Sequence, residues 1–196
     1  YLDLLLQTNH QNEALALAKK LSKNETLASD LALDCGRLSL EAGFYPEARH
    51  FLATAEKDSE RRFHARYFLG RLDELEGKHE AALLHCQGVA DGPFHVIAYL
   101  RGALLYADQE KPDDALRLLS QANPGDTVEQ KQLFLTQLEI LYQHKRFEEG
   151  FSVTETALQQ FPEDTDFQYA QSLQQEGLGH VAQAEKTLRT IIAAHP

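Results

Sequence analysis

One small residue returns along this chain at a fixed interval. It is alanine at Ala14, Ala48, Ala82, Ala115 and Ala184, with Gly150 in the remaining place, so the steps are 34, 34, 33, 35 and 34 residues. A period this regular over six copies marks a repeat array, in which each copy is one supersecondary unit that cannot bury its apolar face alone. The surroundings of the anchor repeat too. Twelve residues before it stand Gly36, Gly70, Ala103 and Ser172, where two helices must approach closely. Five before it stand Gly43, Gly77 and Gly179, suited to the left-handed turn that ends a helix. Three before it come Tyr45, Phe147 and Val181, bulky plugs for the corner between helices. Four and seven after it come Leu52 and Ala55, Cys86 and Val89, Leu119 and Ala122, Leu188 and Ile191, the inner stripe of a second helix. Pro162 and Pro196 fall twelve after it, where a unit closes. Sustained strand-like alternation is absent. The chain therefore reads as an antiparallel helix pair repeated over roughly 1–25, 26–59, 60–93, 94–126, 127–162 and 163–196.

This period with this pattern resembles the tetratricopeptide repeat, and the resemblance covers the whole chain. It implies an all-α fold, a right-handed α-solenoid of about six helix-turn-helix repeats. The chain departs from the family pattern in places. The aromatic expected early in the first helix is present as Tyr99 and Phe134 but is Ala32, Arg66 or Gln168 elsewhere. The fourth and fifth copies carry Glu110 and Lys145 where the turn glycine belongs, and Pro112 takes the plug position. Proline is tolerated in the first turn of a helix, so Pro112 is expected to open one.

With 43% apolar residues in 196, the chain has material for a continuous spine in which each unit touches mainly its neighbours. That argues for a single solenoid without an internal linker. The turns "DGPF" at Asp91–Phe94 and "NPGDT" at Asn123–Thr127 carry helix-stop and helix-start chemistry rather than hinge composition. Tyr1 falls partway into a first helix, no Met occurs, and no polar capping helix follows Pro196, so a fragment of a longer protein is expected, with any signal peptide or anchor outside it. No apolar run is long enough to span a membrane. The net charge of −11, from 19 basic and 30 acidic residues, would repel a polyphosphate, and no basic patch interleaved with aromatics offsets it. Nucleic acid is not expected as a partner.

The search for chemistry yields little. Cys35 and Cys86 fall on inward positions, where a small buried hydrophobe fits. His79 and His85 are six residues apart on a helix and point away from each other, unlike a helical metal pair, and neighbouring Cys86 diverges from His85. Asn24-Glu25-Thr26 matches a glycosylation acceptor, but its place between two helices makes capping the simpler reading. Glu148 and Glu149 lie at a helix start, where acids offset the dipole. No phosphate loop, nucleophile elbow or CxxC motif occurs, so no catalytic residue, cofactor or metal is expected.

In the tetratricopeptide family the first helices line the concave side. That places Leu33, Arg37, Leu40, Tyr67, Arg71, Leu100, Leu104, Leu135, Glu139, Tyr142, Tyr169 and Leu173 on the concave surface of this chain, with Glu74 beside them. Stacked leucines and tyrosines are costly if exposed, and tyrosine and arginine dominate interface energetics. Either this stripe binds a partner, or several of its side chains pack between adjacent first helices as core. Arg37 and Arg71, one repeat apart, are expected ~10 Å from each other, a spacing that suits an acidic segment or a terminal carboxylate. Family members that grip a chaperone's C-terminal carboxylate use lysine and asparagine here; Leu33, Arg37, Tyr67 and Arg71 do not match that set.

A narrower resemblance rests on "YFLGRLDELEGKHEAAL" (Tyr67–Leu83), "GPFHVIAYLRGALLYADQEKPDDALRLL" (Gly92–Leu119), "LEILYQHKRFEEGFSV" (Leu138–Val153) and "FPEDTDFQYAQSLQQEGLG" (Phe161–Gly179). These phrases are similar to proteobacterial repeat lipoproteins that act as adaptors for a periplasmic carboxyl-terminal processing protease. The resemblance implies a non-catalytic adaptor on the inner face of the outer membrane that presents substrates to a protease, with the proteolytic chemistry in the partner. A cytoplasmic adaptor, and an assembly scaffold or self-associating array without a peptide groove, remain as alternatives.

Overall fold

The computed structural model describes residues 1–24 and 27–194. Among them are twelve helices and no strand. In chain order they are α1 (Leu2–Gln7), α2 (Gln11–Leu21), α3 (Ser29–Glu41), α4 (Tyr45–Ala55), α5 (Arg62–Leu75), α6 (His79–Gln87), α7 (His95–Asp108), α8 (Pro112–Leu119), α9 (Thr127–Gln143), α10 (Phe147–Gln160), α11 (Thr165–Gly177) and α12 (Val181–Ala194). They fall as one helix pair per copy of the sequence period. Of the acceptor motif Asn24-Glu25-Thr26, Glu25 and Thr26 lie outside the described residues, as does Pro196.

The turn within each pair is the most regular feature. Five residues before every anchor the backbone is left-handed: Asn9, Gly43, Gly77, Glu110, Lys145 and Gly179 have φ of 61°, 78°, 72°, 59°, 57° and 80°. The next N–H then returns to a carbonyl of the last helical turn, as in Phe44 N to Ser39 O at 2.8 Å, Lys111 N to Tyr106 O at 3.0 Å and Arg146 N to Leu141 O at 2.8 Å. This closure satisfies carbonyls that the helix end would leave without partners. Copies four and five keep the geometry without glycine, so their turns store backbone strain that the glycine copies do not.

Helix starts follow their residues as well. Pro112 opens α8, as its position implies, and Pro46 sits in the first turn of α4. Asp126 Oδ1 accepts from Glu129 N at 2.8 Å at the start of α9, and Asp164 Oδ1 accepts from Asp166 N at 3.0 Å at the start of α11.

The helices gather into two compact units, Tyr1–Gly102 and Ala103–Pro196. In the first, Leu40, Ala48, Leu52, Tyr67, Phe68 and Leu72 belong to one buried cluster, against which Tyr45 packs as a plug. A Cβ on Gly36 would lie 2.7 Å from the Leu52 side chain, and one on Gly70 would lie 3.3 Å from His85 Cβ. Both glycines thus sit where a first and a second helix touch. Cys35 and Cys86 are buried free thiols, and burial pushes the Cys86 thiol up to about 11.

In the second unit Leu138, Ala157 and Phe167 form the core with Phe134, Val153 and Phe161 around them. Here Gly150 replaces the anchor alanine, for a reason that lies one copy further on. A Cβ on Gly150 would meet Gln174 Oε1 at 2.5 Å. Where the sixth copy has Gln174, the other copies carry Leu4, Leu38, Leu72, Leu105 and Ile140. Phe147 acts as a plug, lying where a Cβ on Gly177 would be 2.5 Å from its ring. Val181, expected to be a plug, is exposed instead.

Candidate functional site

Helical periodicity assembles the main concavity of the second unit. On α9, Leu135, Leu138, Glu139 and Tyr142 follow the i, i+3, i+4, i+7 rule and share a face; on α11, Asp166, Tyr169, Ala170 and Leu173 do the same. The two faces enclose an open pocket of about 690 Å³ that Gln143 and Gln174 complete. Leu135, Leu138, Ala170 and Leu173 are buried or half-buried and form its floor, while Glu139, Tyr142, Gln143, Asp166 and Tyr169 are exposed at its rim. Volume and apolar lining both fall in the range of binding clefts.

The rim is polar in a specific way. Lys131 Nζ lies 2.7 Å from Asp164 and 2.8 Å from Asp166, and 5.9 Å from the centre of the Phe167 ring. Those carboxylates, first through their hydrogen bonds, raise the Lys131 pKa, and the single cation is shared between Asp164 and Asp166. Glu139 accepts only from Gln143 Nε2 at 3.2 Å, and among the described residues no cation pairs with it. The Tyr142 ring meets Phe147 edge-on at 5.7 Å. The pocket thus offers apolar area, two phenols and, at Glu139, a carboxylate with no cation beside it among the described residues.

Five of the residues expected on the concave surface, Leu135, Glu139, Tyr142, Tyr169 and Leu173, meet here. The pocket also takes in Leu138, Gln143, Asp166, Ala170 and Gln174, which the concave register did not single out. Two carried a signal: Leu138 stands where the second, third, fourth and sixth copies have a small residue, and Gln174 where all the others have an aliphatic one.

The first unit treats the same register differently. Leu40, Tyr67 and Leu100 are buried, which corrects their placement on an exposed stripe. Tyr67 is only 6% exposed because Phe94, from the loop before α7, stacks flat on it at 4.3 Å and 3°. Leu33 is half-buried against the core, and Leu104, at the start of the second unit, is half-buried too. Arg37 Nη1 binds Glu41 on its own helix at 3.0 Å, so its charge is already partly met. Glu74 is bound by Arg101 at 2.5 Å. Arg71 is half-buried on α5, and among the described residues no carboxylate pairs with it.

A buried charge cluster that no motif announced links α4, α5 and α6. The Asp73 carboxylate, with its side chain 2% exposed, accepts from Arg49 Nη2 at 2.6 Å, and Arg49 also holds Glu76 at 2.5 Å. His85 Nε2 stands 3.4 Å from Asp73 Oδ2, an oxygen without a hydrogen-bond partner. Burial pushes the His85 pKa down, against the pull of Asp73. His79 lies apart and exposed at the start of α6. Among the described residues no group of three metal-ligating side chains comes together, and no helix is long and apolar enough to cross a membrane.

No protein-family model matches the chain. A TPR repeat-containing protein of Pseudomonas aeruginosa is 31% identical over 132 residues, 67% of this chain and 22% of that protein. The chain therefore spans about a fifth of the length of that relative. Among solved structures, a tetratricopeptide repeat protein from Parabacteroides merdae superposes with a TM-score of 0.63 at 15% identity, covering 98% of this chain and 76% of that one. Two structures of MamA give 0.56 at 20% identity, covering 84% and 95%, and 0.53 at 16%, covering 98% and 93%. At these identities the likeness concerns the fold, a repeat α-solenoid.

Proposed function

We propose that this tetratricopeptide-repeat protein is a non-catalytic interaction module, its six copies forming one array, and that it holds a segment of a partner protein in the α9–α11 groove. The observation that carries the reading is the pairing of exposed Tyr142 and Tyr169 (41% and 52%) across a floor of Leu135, Leu138 and Leu173. Apolar surface left open beside aromatic anchors is costly unless a partner covers it, and tyrosines of this kind concentrate binding energy. Uncompensated Glu139 favours a segment that brings a lysine or arginine beside its apolar side chains.

Selection from a displayed library of random linear peptides tests this. Wild-type protein should enrich peptides that pair aliphatic or aromatic residues with a basic one. Tyr142→Ser with Tyr169→Ser should lower affinity for them by roughly a hundredfold, the size expected when two anchors of about 1–2 kcal/mol each are lost. Circular dichroism should stay unchanged, since both side chains are exposed. Equal affinity of the double variant would remove the groove from the account.

The narrower form of this reading, an outer-membrane lipoprotein that presents substrates to a periplasmic carboxyl-terminal processing protease, is supported by the repeat phrases of residues 67–83, 92–119, 138–153 and 161–179. Its test is whether purified protease of that class binds the full-length protein. A second reading, a self-associating scaffold, draws on Val181, Leu188 and Ile192, exposed along α12. It requires a concentration-dependent dimer in sedimentation that Ile192→Glu abolishes.

A further inference from the structure

Every copy but the sixth carries an aliphatic residue ten positions before its anchor: Leu4, Leu38, Leu72, Leu105 and Ile140. The sixth carries Gln174, 1% exposed, on the inner wall of the α9–α11 groove. Its Oε1 is fully enclosed and has no hydrogen-bond partner. Its neighbour Gln175, also buried, does have one: Thr187 Oγ1 donates to Gln175 Oε1 at 3.2 Å. Enclosing an amide without a partner is unfavourable, and an apolar side chain of similar shape would avoid the penalty.

The preceding copy has given up its anchor to accommodate this amide. Elsewhere the small–aliphatic contact is an alanine and a leucine, as with Ala48 and Leu72 in one core cluster. Here Gly150 stands in for alanine, and the missing Cβ leaves the space that Gln174 Oε1 fills at 2.5 Å from where that Cβ would be. Two departures from the repeat, one copy apart, thus serve one carboxamide. A terminal amide torsion is broad and roughly two-fold, and a turn about it carries the oxygen from the Gly150 side toward the groove that Gln174 lines.

We infer that Gln174 sets the backbone register of a peptide in this groove, and that its carboxamide accepts a main-chain N–H from an extended peptide whose aliphatic or aromatic side chain enters the floor beside Leu173. The inference rests on the groove reading above and adds the group that binds the peptide main chain. An extended segment is the occupant that meets the site's needs. It exposes main-chain donors between alternate side chains, which a helix spends on its own hydrogen bonds. A basic residue flanking the anchor meets Glu139.

Capped linear peptides acetyl-Gly-Ser-Lys-Xaa-Leu-Xaa-Lys-Ser-Gly-amide, with Xaa varied over Leu, Ile, Phe, Tyr and Trp, serve as probes. Binding is followed by nuclear magnetic resonance at the Leu135 and Leu173 methyls, the Tyr169 ring and the side-chain amide of Gln174. For a peptide that binds, methylation of each main-chain nitrogen in turn should find one position at which affinity drops roughly tenfold, the loss of about one hydrogen bond. In Gln174→Leu the same methylation should have no effect, and in wild type the Gln174 amide signals should shift on binding. Gln174→Leu restores the residue type of the other copies, so it is expected to fold and melt no lower than wild type. Gln174→Leu with Gly150→Ala rebuilds the full pair as a second control. If the peptide shifts the groove signals but every methylation acts alike on wild type and Gln174→Leu, the role of Gln174 is refuted and the groove survives. If no peptide shifts Leu135, Leu173 or Tyr169, the groove itself is refuted, and this inference with it.

Discussion

Tyr67 and Tyr169 occupy the same place in their copies, each fifteen residues before its anchor, yet one is 6% exposed and the other 52%. Both point to the same face of a first helix, because helical register alone decides direction. What covers them is decided elsewhere. Phe94, from the loop that opens the fourth copy, lies flat on Tyr67; among the described residues no ring lies on Tyr169, which stays open at the mouth of a pocket. The contrast extends to the charges. The first unit ties its helices with Arg49 and Asp73, while the equivalent places in the fourth and fifth copies hold Leu116 and Leu141. One unit closes its stripe and locks its helices through an ion pair on a buried carboxylate; the other packs with aliphatics and leaves its stripe open. The repeat is thus a common frame on which burial, and with it binding capacity, is assigned copy by copy.

The largest effect should separate the two tyrosines. Tyr67→Ala removes a stacked, buried ring and should cost about 3–5 kcal/mol. Tyr169→Ala removes an exposed ring and should change stability by less than about 0.5 kcal/mol. Urea unfolding of both variants measures the difference. Similar costs would mean that Tyr169 is covered in solution and that the open groove does not persist there.

The charge lock comes next. Arg49→Ala leaves the Asp73 carboxylate buried without its cation, which should cost roughly 3 kcal/mol. Replacing both partners, Arg49→Leu with Asp73→Leu, should recover most of that loss, since an ion pair taken from water is seldom better than well-packed aliphatics. In a repeat array each copy leans mainly on its neighbours, so peptide-resolved hydrogen exchange of Arg49→Ala should show lost protection in α3 to α6 and little change in α10 to α12. Uniform loss would show instead that all six copies unfold as one cooperative block.

These effects also mark which features can be read from sequence. The helix pairs and their turns were visible in the amino acids, because glycine before a helix corner, alanine at a close contact and proline in a first turn act through local sterics. The burial of Tyr67 was not, since it depends on a side chain twenty-seven residues away in a loop of irregular composition. Leu40 and Leu100 fall in the same category: register aimed them at the concave side, and packing enclosed them, Leu40 in the cluster with Tyr67 and Phe68. Asp73 was hidden for another reason. A carboxylate in a helix reads as a solvated face, and only Arg49 one copy earlier makes its burial tolerable. Gly150 was visible as an exception, but its cause, Gln174, emerges only when every copy is compared at that one position.

The smallest effect concerns the turns. Gly43 and Gly77 in the first unit supply positive φ at no steric cost, whereas Glu110 and Lys145 in the second hold φ of 59° and 57° with a full side chain. A non-glycine residue held there costs about 1–2 kcal/mol. Glycine would relieve that cost but widen the choices of the unfolded chain, an opposing effect of about 0.4–1 kcal/mol. Lys145→Gly should therefore stabilise by about 0.5–1 kcal/mol. Lys145 is the cleaner site, because it is exposed and among the described residues no carboxylate pairs with it. Glu110→Gly should gain slightly less, as its carboxylate lies 3.6 Å from His144 Nε2. Gly77→Ala should shift in the opposite direction by a similar amount, since a Cβ there meets no neighbouring atom and only the backbone objects. Thermal melts of the three variants read these signs directly. A Lys145→Gly protein that melts lower than wild type would mean that the turn in the second unit is held by something other than the left-handed closure in which all six copies agree.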